Sequence, residues 1–128
     1  MLTRMVRVFL MLGAVSGAIS VAAGAFGAHA LRPRVSPEML AVFETGARYQ
    51  MFHALALVAA AWVLSRSSGP AAAWAGWLFA IGTVLFSGSL YALALSGIRA
   101  IGAVTPLGGL SFVAGWIALA VAAARLRR

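Results

Sequence analysis

The sequence of 128 residues predicts an all-α fold, a multi-pass transmembrane bundle of four helices with an interfacial first portion on the second helix. Three observations carry that prediction. First, 63% of the residues are hydrophobic and only 9% are charged, whereas a soluble domain is about 25% charged; such a chain cannot wet its own surface in water. Second, the apolar residues gather into four long segments, and at 1.5 Å per residue about 20 of them cross a hydrocarbon core of roughly 30 Å. Third, the arginines fall near segment edges (Arg4, Arg7, Arg32, Arg34, Arg48, Arg66, Arg99, Arg125, Arg127 and Arg128), where guanidinium groups anchor helices among lipid head groups. The net charge of +8 is therefore topological, and no nucleic-acid partner is expected. With no cysteine, disulfides and thiolate metal sites are excluded.

The elements follow in order, all within a single integral membrane domain covering residues 1–128. The first span covers residues 8–31 and is rich in small residues: Gly13/Gly17, Ser16/Ser20 and Ser20/Gly24 have the four-residue spacing that lets a neighbouring helix approach closely. A cleavable signal peptide competes with this reading, because Arg4 and Arg7 form a basic start and Ala28-His29-Ala30 resembles a cleavage site. The apolar stretch is too long for a signal core of roughly 7 to 15 residues, so a retained span is expected. Ser36-Pro37-Glu38 then starts the second helix: serine caps, proline suits the first turn, and glutamate complements the positive end of the helix dipole. Its interfacial portion is residues 36–44 and its spanning portion residues 45–64, with Arg48 just inside the boundary and able to snorkel outward.

Ser65 to Pro70 reads as a tight polar loop, which makes the second and third helices antiparallel neighbours. The third span, residues 71–95, opens with Trp74 and Trp77 at the boundary that Trp62 also marks, half of an aromatic belt. Thr105-Pro106 repeats the capped start before the fourth span, residues 106–124. Four spans put both termini and the second loop on one side. Arg4, Arg7, Arg66, Arg125, Arg127 and Arg128 lie there, against Arg32, Arg34, Arg48 and Arg99 opposite, so both termini are expected in the cytoplasm.

Ionisable groups inside lipid are costly and mark places to look for function. His29 and His53 could approach each other across the first hairpin, the geometry of a paired-histidine metal or haem site. Their depths match poorly, so histidines hydrogen-bonded between helices are expected instead, with no metal or cofactor. Glu44 and Arg48 have the acid-first, four-residue spacing that favours an ion pair along one helical face. Tyr49 and His53 share a face by the same spacing. Together with His29, Ser87 and Ser89, these residues form the candidate polar or ligand site near the outer boundary of helices one to three. Gly13, Gly17, Gly24, Gly27, Gly88, Gly108 and Gly109 are the candidate helix-packing residues, and Trp116 is read as packing or lipid-facing. Asp is absent, so no Ser-His-Asp set can be assembled, and neither GxxxxGK[ST] nor HExxH occurs. No enzyme is expected.

Four of these stretches coincide with one pattern. Gly24-Ala25-Phe26-Gly27-Ala28-His29-Ala30-Leu31, Tyr49-Gln50-Met51-Phe52-His53-Ala54-Leu55, Leu85-Phe86-Ser87-Gly88-Ser89-Leu90-Tyr91 and Thr105-Pro106-Leu107-Gly108-Gly109 with Gly115-Trp116 strongly resemble the domain-of-unknown-function 423 family. That family also embraces the small eukaryotic transmembrane protein 256. The resemblance covers nearly the whole chain and implies a small multi-pass protein of the bacterial inner membrane. It carries over no substrate, cofactor or catalytic residue. The expected function is that of a non-enzymatic structural, assembly or helix-packing partner. The alternatives are a small transporter or ligand carrier using the polar site and, more remotely, bis-histidine haem or metal binding. The expected partners are the lipid bilayer and another copy of the chain or a different membrane protein.

Overall fold

The computed structural model describes residues 2–126, so the basic end at Arg127 and Arg128 lies outside the described residues. Four helices, α1 (Leu2–Leu31), α2 (Pro37–Arg66), α3 (Ala71–Ser96) and α4 (Arg99–Ala123), are each long and apolar enough to cross a membrane. They run alternately up and down. Arg125 reaches the α2–α3 loop at Gly69, Ser67 bridges to Leu126, and Leu2 and Met5 border the same loop, so both described ends share one face with it. We call this the terminal face.

α2 is the least hydropathic of the four spans and the most buried. The two properties have one cause: in lipid, polar side chains must find partners inside the protein, so the helix that carries most of them is enclosed by the others. α1 packs along α2, α4 packs along α3, and α2 and α3 pack on each other. One apolar core gathers Phe9, Leu57, Ala60, Ala61, Phe79 and Phe112 among its members. A smaller one near the opposite face contains Leu31, Leu40, Phe43 and Ala94. Phe9, fully buried, reaches past α2 to fill the notch at Gly76 of α3 and meets Trp77 edge-on at 5.2 Å.

The start of α2 is as the sequence predicts. The Ser36 hydroxyl accepts the Met39 N–H at 3.2 Å, Pro37 occupies the first turn, and the interfacial and spanning portions form one uninterrupted helix. Three details differ from the expected spans. α1 begins at Leu2 and closes in a π-helical turn over Gly27–Leu31. α3 holds a second π turn, Thr83–Ser87, in its middle. There Thr83 Oγ1 also bonds the Phe79 carbonyl at 2.9 Å, the back-bonding that loosens and bends a helix. α4 opens as a 3-10 helix over Arg99–Ala103 and continues as α-helix from Thr105, after Gly97 ends α3 in the left-handed region at φ 72°.

Candidate functional site

His53 sits at the middle of α2, buried between α3 and α4. Its Nδ1 lies 2.7 Å from the Tyr49 carbonyl oxygen, which only accepts, so Nδ1 carries the proton. Nε2 then accepts the indole N–H of Trp116 at 3.1 Å. The ring stacks flat on Phe112, with centroids 3.4 Å apart and planes 6° from parallel. Phe112 in turn fills the space left by Gly82. One tautomer of the neutral imidazole therefore satisfies both nitrogens and ties α2 to α4, while the ring meets α3 at Phe79, with centroids 5.7 Å apart.

This arrangement also bears on the histidine pair. Ligation of a metal or haem iron needs a free imidazole nitrogen, and both nitrogens of His53 are engaged. His29 is exposed on the π turn that ends α1, and no hydrogen bond or ring contact joins it to His53. Among the described residues, no group of three or more His, Cys, Asp or Glu side chains is placed to hold a metal ion.

One to two turns nearer the opposite face, α2 forms a polar hub. Ser20 of α1 donates to the Ala47 carbonyl at 2.7 Å, and Ser87 of α3 donates to the Gly46 carbonyl at 2.7 Å. Gln50 donates to Ser16 at 3.2 Å and accepts the Tyr91 hydroxyl at 2.6 Å, bridging α1 and α3 through a single side chain. Ser89 meets Thr105 of α4 at 2.6 Å and also bonds the Phe86 carbonyl at 2.9 Å. Gly46 is where Tyr91 crosses α2: a Cβ there would lie 3.0 Å from the ring.

Glu44 and Arg48 take no part in the hydrogen bonds of this hub. The first is half-buried, the second exposed, and they line a groove of about 370 Å³ between α1 and α2 with Ser20, Val21, Gly24, Ala47 and Met51. The expected ion pair between them does not form. Among the described residues, the ion pair present joins Arg99 to Glu38 at 3.5 Å, both side chains largely exposed, and clips the start of α4 to the start of α2. At a membrane boundary each long side chain can reach polar surroundings by itself, which removes most of the gain from pairing. Tyr49 turns to a third place. With Phe52, Phe86, Phe112 and Trp116 it lines an apolar groove of about 460 Å³, open sideways between α2 and α4, with the His53–Trp116 pair at its floor. The seven candidate residues are thus distributed over separate interfaces and do not converge on one cavity.

Sequence reasoning missed Gln50, Tyr91 and the hydrogen bond made by Trp116. A signal existed for Gln50, which lies four residues after Gly46 and three before His53 and so shares their helical face. Of the expected packing glycines, Gly13, Gly27 and Gly108 make tight contacts, with the Ala54 carbonyl and Val58, the Phe43 ring and the Phe86 backbone respectively. Gly17 and Gly109 make only ordinary or marginal contacts, and Gly24 and Gly88 face open space. Gly46, Gly76, Gly82 and Gly115, not singled out from the sequence, each receive an aromatic ring, from Tyr91, Phe9, Phe112 and Phe79 in that order.

A family model described as "protein of unknown function (DUF423)" matches residues 23–109, a stretch that contains Glu44, Arg48, Gln50, His53, Ser87, Ser89 and Tyr91 and leaves out Ser16, Ser20, Val21 and Trp116. The UPF0382 inner membrane protein YgdD of Escherichia coli (strain K12) is 47% identical over 122 residues, covering 95% of this chain and 93% of its own length. The UPF0382 membrane protein YwdK of Bacillus subtilis is 45% identical over 120 residues, covering 93% and 98%. The UPF0382 membrane protein SH2409 of Staphylococcus haemolyticus is 47% identical over 115 residues, covering 90% and 93%. No solved structure matches.

Proposed function

Because the chain belongs to the DUF423 family and is a multi-pass protein of the bacterial inner (plasma) membrane, we propose that it works there as a non-enzymatic helix-packing partner, with both termini in the cytoplasm. The observation that carries this reading is the pairing of its buried polar groups. Among the described residues, the one buried side-chain polar atom without a hydrogen-bond partner is Ser67 Oγ, in the α2–α3 loop and outside the spans. The serines, Gln50 and His53 are occupied in holding helices together, and a transporter or enzyme needs such groups free to meet a ligand.

The face we assign to association is on α1, the least buried span. With Gly13 turned inward against α2, the outward side presents Ala14, Ala18 and Ala22, all exposed and four residues apart. That spacing lets two helix backbones approach closely where no hydrophobic effect drives them together. A second copy of the chain, packed through this face about a twofold axis, is the simplest partner. The test is energy transfer between labelled copies in liposomes at increasing dilution. Wild-type protein should associate, and Ala18→Phe should reduce association about tenfold, on the order of 1.4 kcal/mol, with unchanged thermal stability. Equal transfer from wild type and Ala18→Phe would remove α1 as the interface.

A further inference from the structure

Glu44 and Arg48 are charged side chains on a membrane-spanning helix, and among the described residues neither makes a hydrogen bond or an ion pair. The acid and base that do pair, Glu38 and Arg99, are the more exposed couple, at the edge of the fold. Just inside a membrane boundary, the polar surroundings that such charges reach are lipid head groups, so this pair of opposite charges, side by side and unjoined, is open to partners from outside the chain. The groove they line opens into the surroundings of α1 and α2, and Gly24 leaves its wall clear, with no atom within 4 Å of where a Cβ would stand. In a bilayer those surroundings are lipid.

The order of the charges identifies which lipid. α2 enters the membrane at its Pro37 end, so the backbone position of Glu44 lies nearer the boundary than that of Arg48 by one turn, about 6 Å at 1.5 Å per residue. In a glycerophospholipid the phosphate adjoins the glycerol, and an amine-bearing head group extends beyond it, away from the hydrocarbon, in either leaflet. A deeper cation and a shallower anion match a deeper phosphate and a shallower ammonium. Farther into the membrane, the apolar Val21 and Met51 continue the groove. We propose that this groove binds a zwitterionic phospholipid with a primary ammonium, its phosphate on Arg48, its ammonium on Glu44, and an acyl chain along Val21 and Met51.

The chemistry separates this ligand from its neighbours. An anionic phospholipid with a neutral head group satisfies Arg48 but offers Glu44 only uncharged hydroxyls beside a net negative charge, weaker than a charge-assisted bond. A quaternary ammonium carries the charge but no N–H to donate to the carboxylate. Free phosphate lacks both the ammonium and the chain.

Native mass spectrometry of the full-length, lipid-stripped protein tests the proposal, using phosphatidylethanolamine, phosphatidylglycerol and phosphatidylcholine of matched acyl chains. Phosphatidylethanolamine should bind about fivefold more tightly than either of the others. Glu44→Gln should erase its advantage over phosphatidylglycerol, Arg48→Gln should weaken all three, and Arg34→Gln, on the same face outside the groove, should change none. Inorganic phosphate and O-phosphoethanolamine, added in excess, should not displace the lipid; displacement by phosphate alone would assign the site to a free anion and overturn the proposal. Equal binding of the three lipids to wild type, or a preference that survives Glu44→Gln, would overturn it as well. If Glu44→Gln does not fold, Gly24→Leu carries the test: it fills the groove without touching either charge, and undiminished binding in that variant would be fatal to the idea.

Discussion

The α3–α4 and α1–α2 interfaces are built from the same small residues and use them in different proportions. Between α3 and α4, glycine mostly meets bulk: Gly82 receives Phe112, Gly115 receives Phe79, and Gly108 lies directly on the backbone of Phe86, with hydroxyl bonds from Ser111 to the Leu78 carbonyl and between Ser89 and Thr105 beside them. Between α1 and α2, hydroxyls meet backbone and amide, as in Ser20 with Ala47 and Ser16 with Gln50, while the glycines range from tight at Gly13 to open at Gly24. A small residue thus sets helix separation only where the facing helix supplies something large or a bare backbone to fill the gap. Elsewhere it is a gap available to another molecule.

Substitutions can break or sharpen this contrast. Gly108→Ala should have the largest effect, because its methyl group overlaps the Phe86 backbone, which cannot rotate away as a side-chain tip would. We expect a loss of about 3 kcal/mol, read as a shift in the denaturant midpoint of the purified protein in micelles. Gln50→Leu comes next. It removes the bonds to Ser16 and Tyr91 together, and we expect about 1 kcal/mol in the same titration, since hydrogen bonds between membrane helices are individually modest. Gly24→Leu should be smallest, within about 0.5 kcal/mol of wild type, because nothing stands where its side chain would go. If Gly24→Leu proved as damaging as Gly108→Ala, spacing alone would govern packing and the contrast between the interfaces would fail.

The fold was legible because length, hydropathy and arginine placement report on the solvent around each helix, and lipid leaves a strong mark on all three. The Ser36-Pro37 start and the loop at Ser65 to Pro70 were legible from local chemistry. The partners within the bundle were not, because they depend on which helix faces which. His53 and Trp116 are separated by 63 residues, and nothing local to either announces the other. Position four residues apart brought Glu44 near Arg48, but spacing cannot show whether two long side chains turn toward each other. The π turns escaped notice for another reason. Between Thr83 and Ser87 the turn holds only the apolar Val84, Leu85 and Phe86, too short a stretch for two flanking hydroxyls to reveal a slip in the helical period.

The turn over Thr83–Ser87 has a bearing on how the chain tolerates change in length. A π turn holds one residue more than the α-helix it interrupts. Each residue of an α-helix advances the face by about 100°, so losing one elsewhere in α3 would swing everything beyond it away from its neighbours. Loss of Val84, whose side chain is 71% exposed, would instead turn the segment into plain α-helix and leave Ser87, Ser89 and Tyr91 aimed at α2 and α4. α3 therefore carries a spare residue, and the midpoint of this helix is where this chain can lose one without rebuilding the bundle.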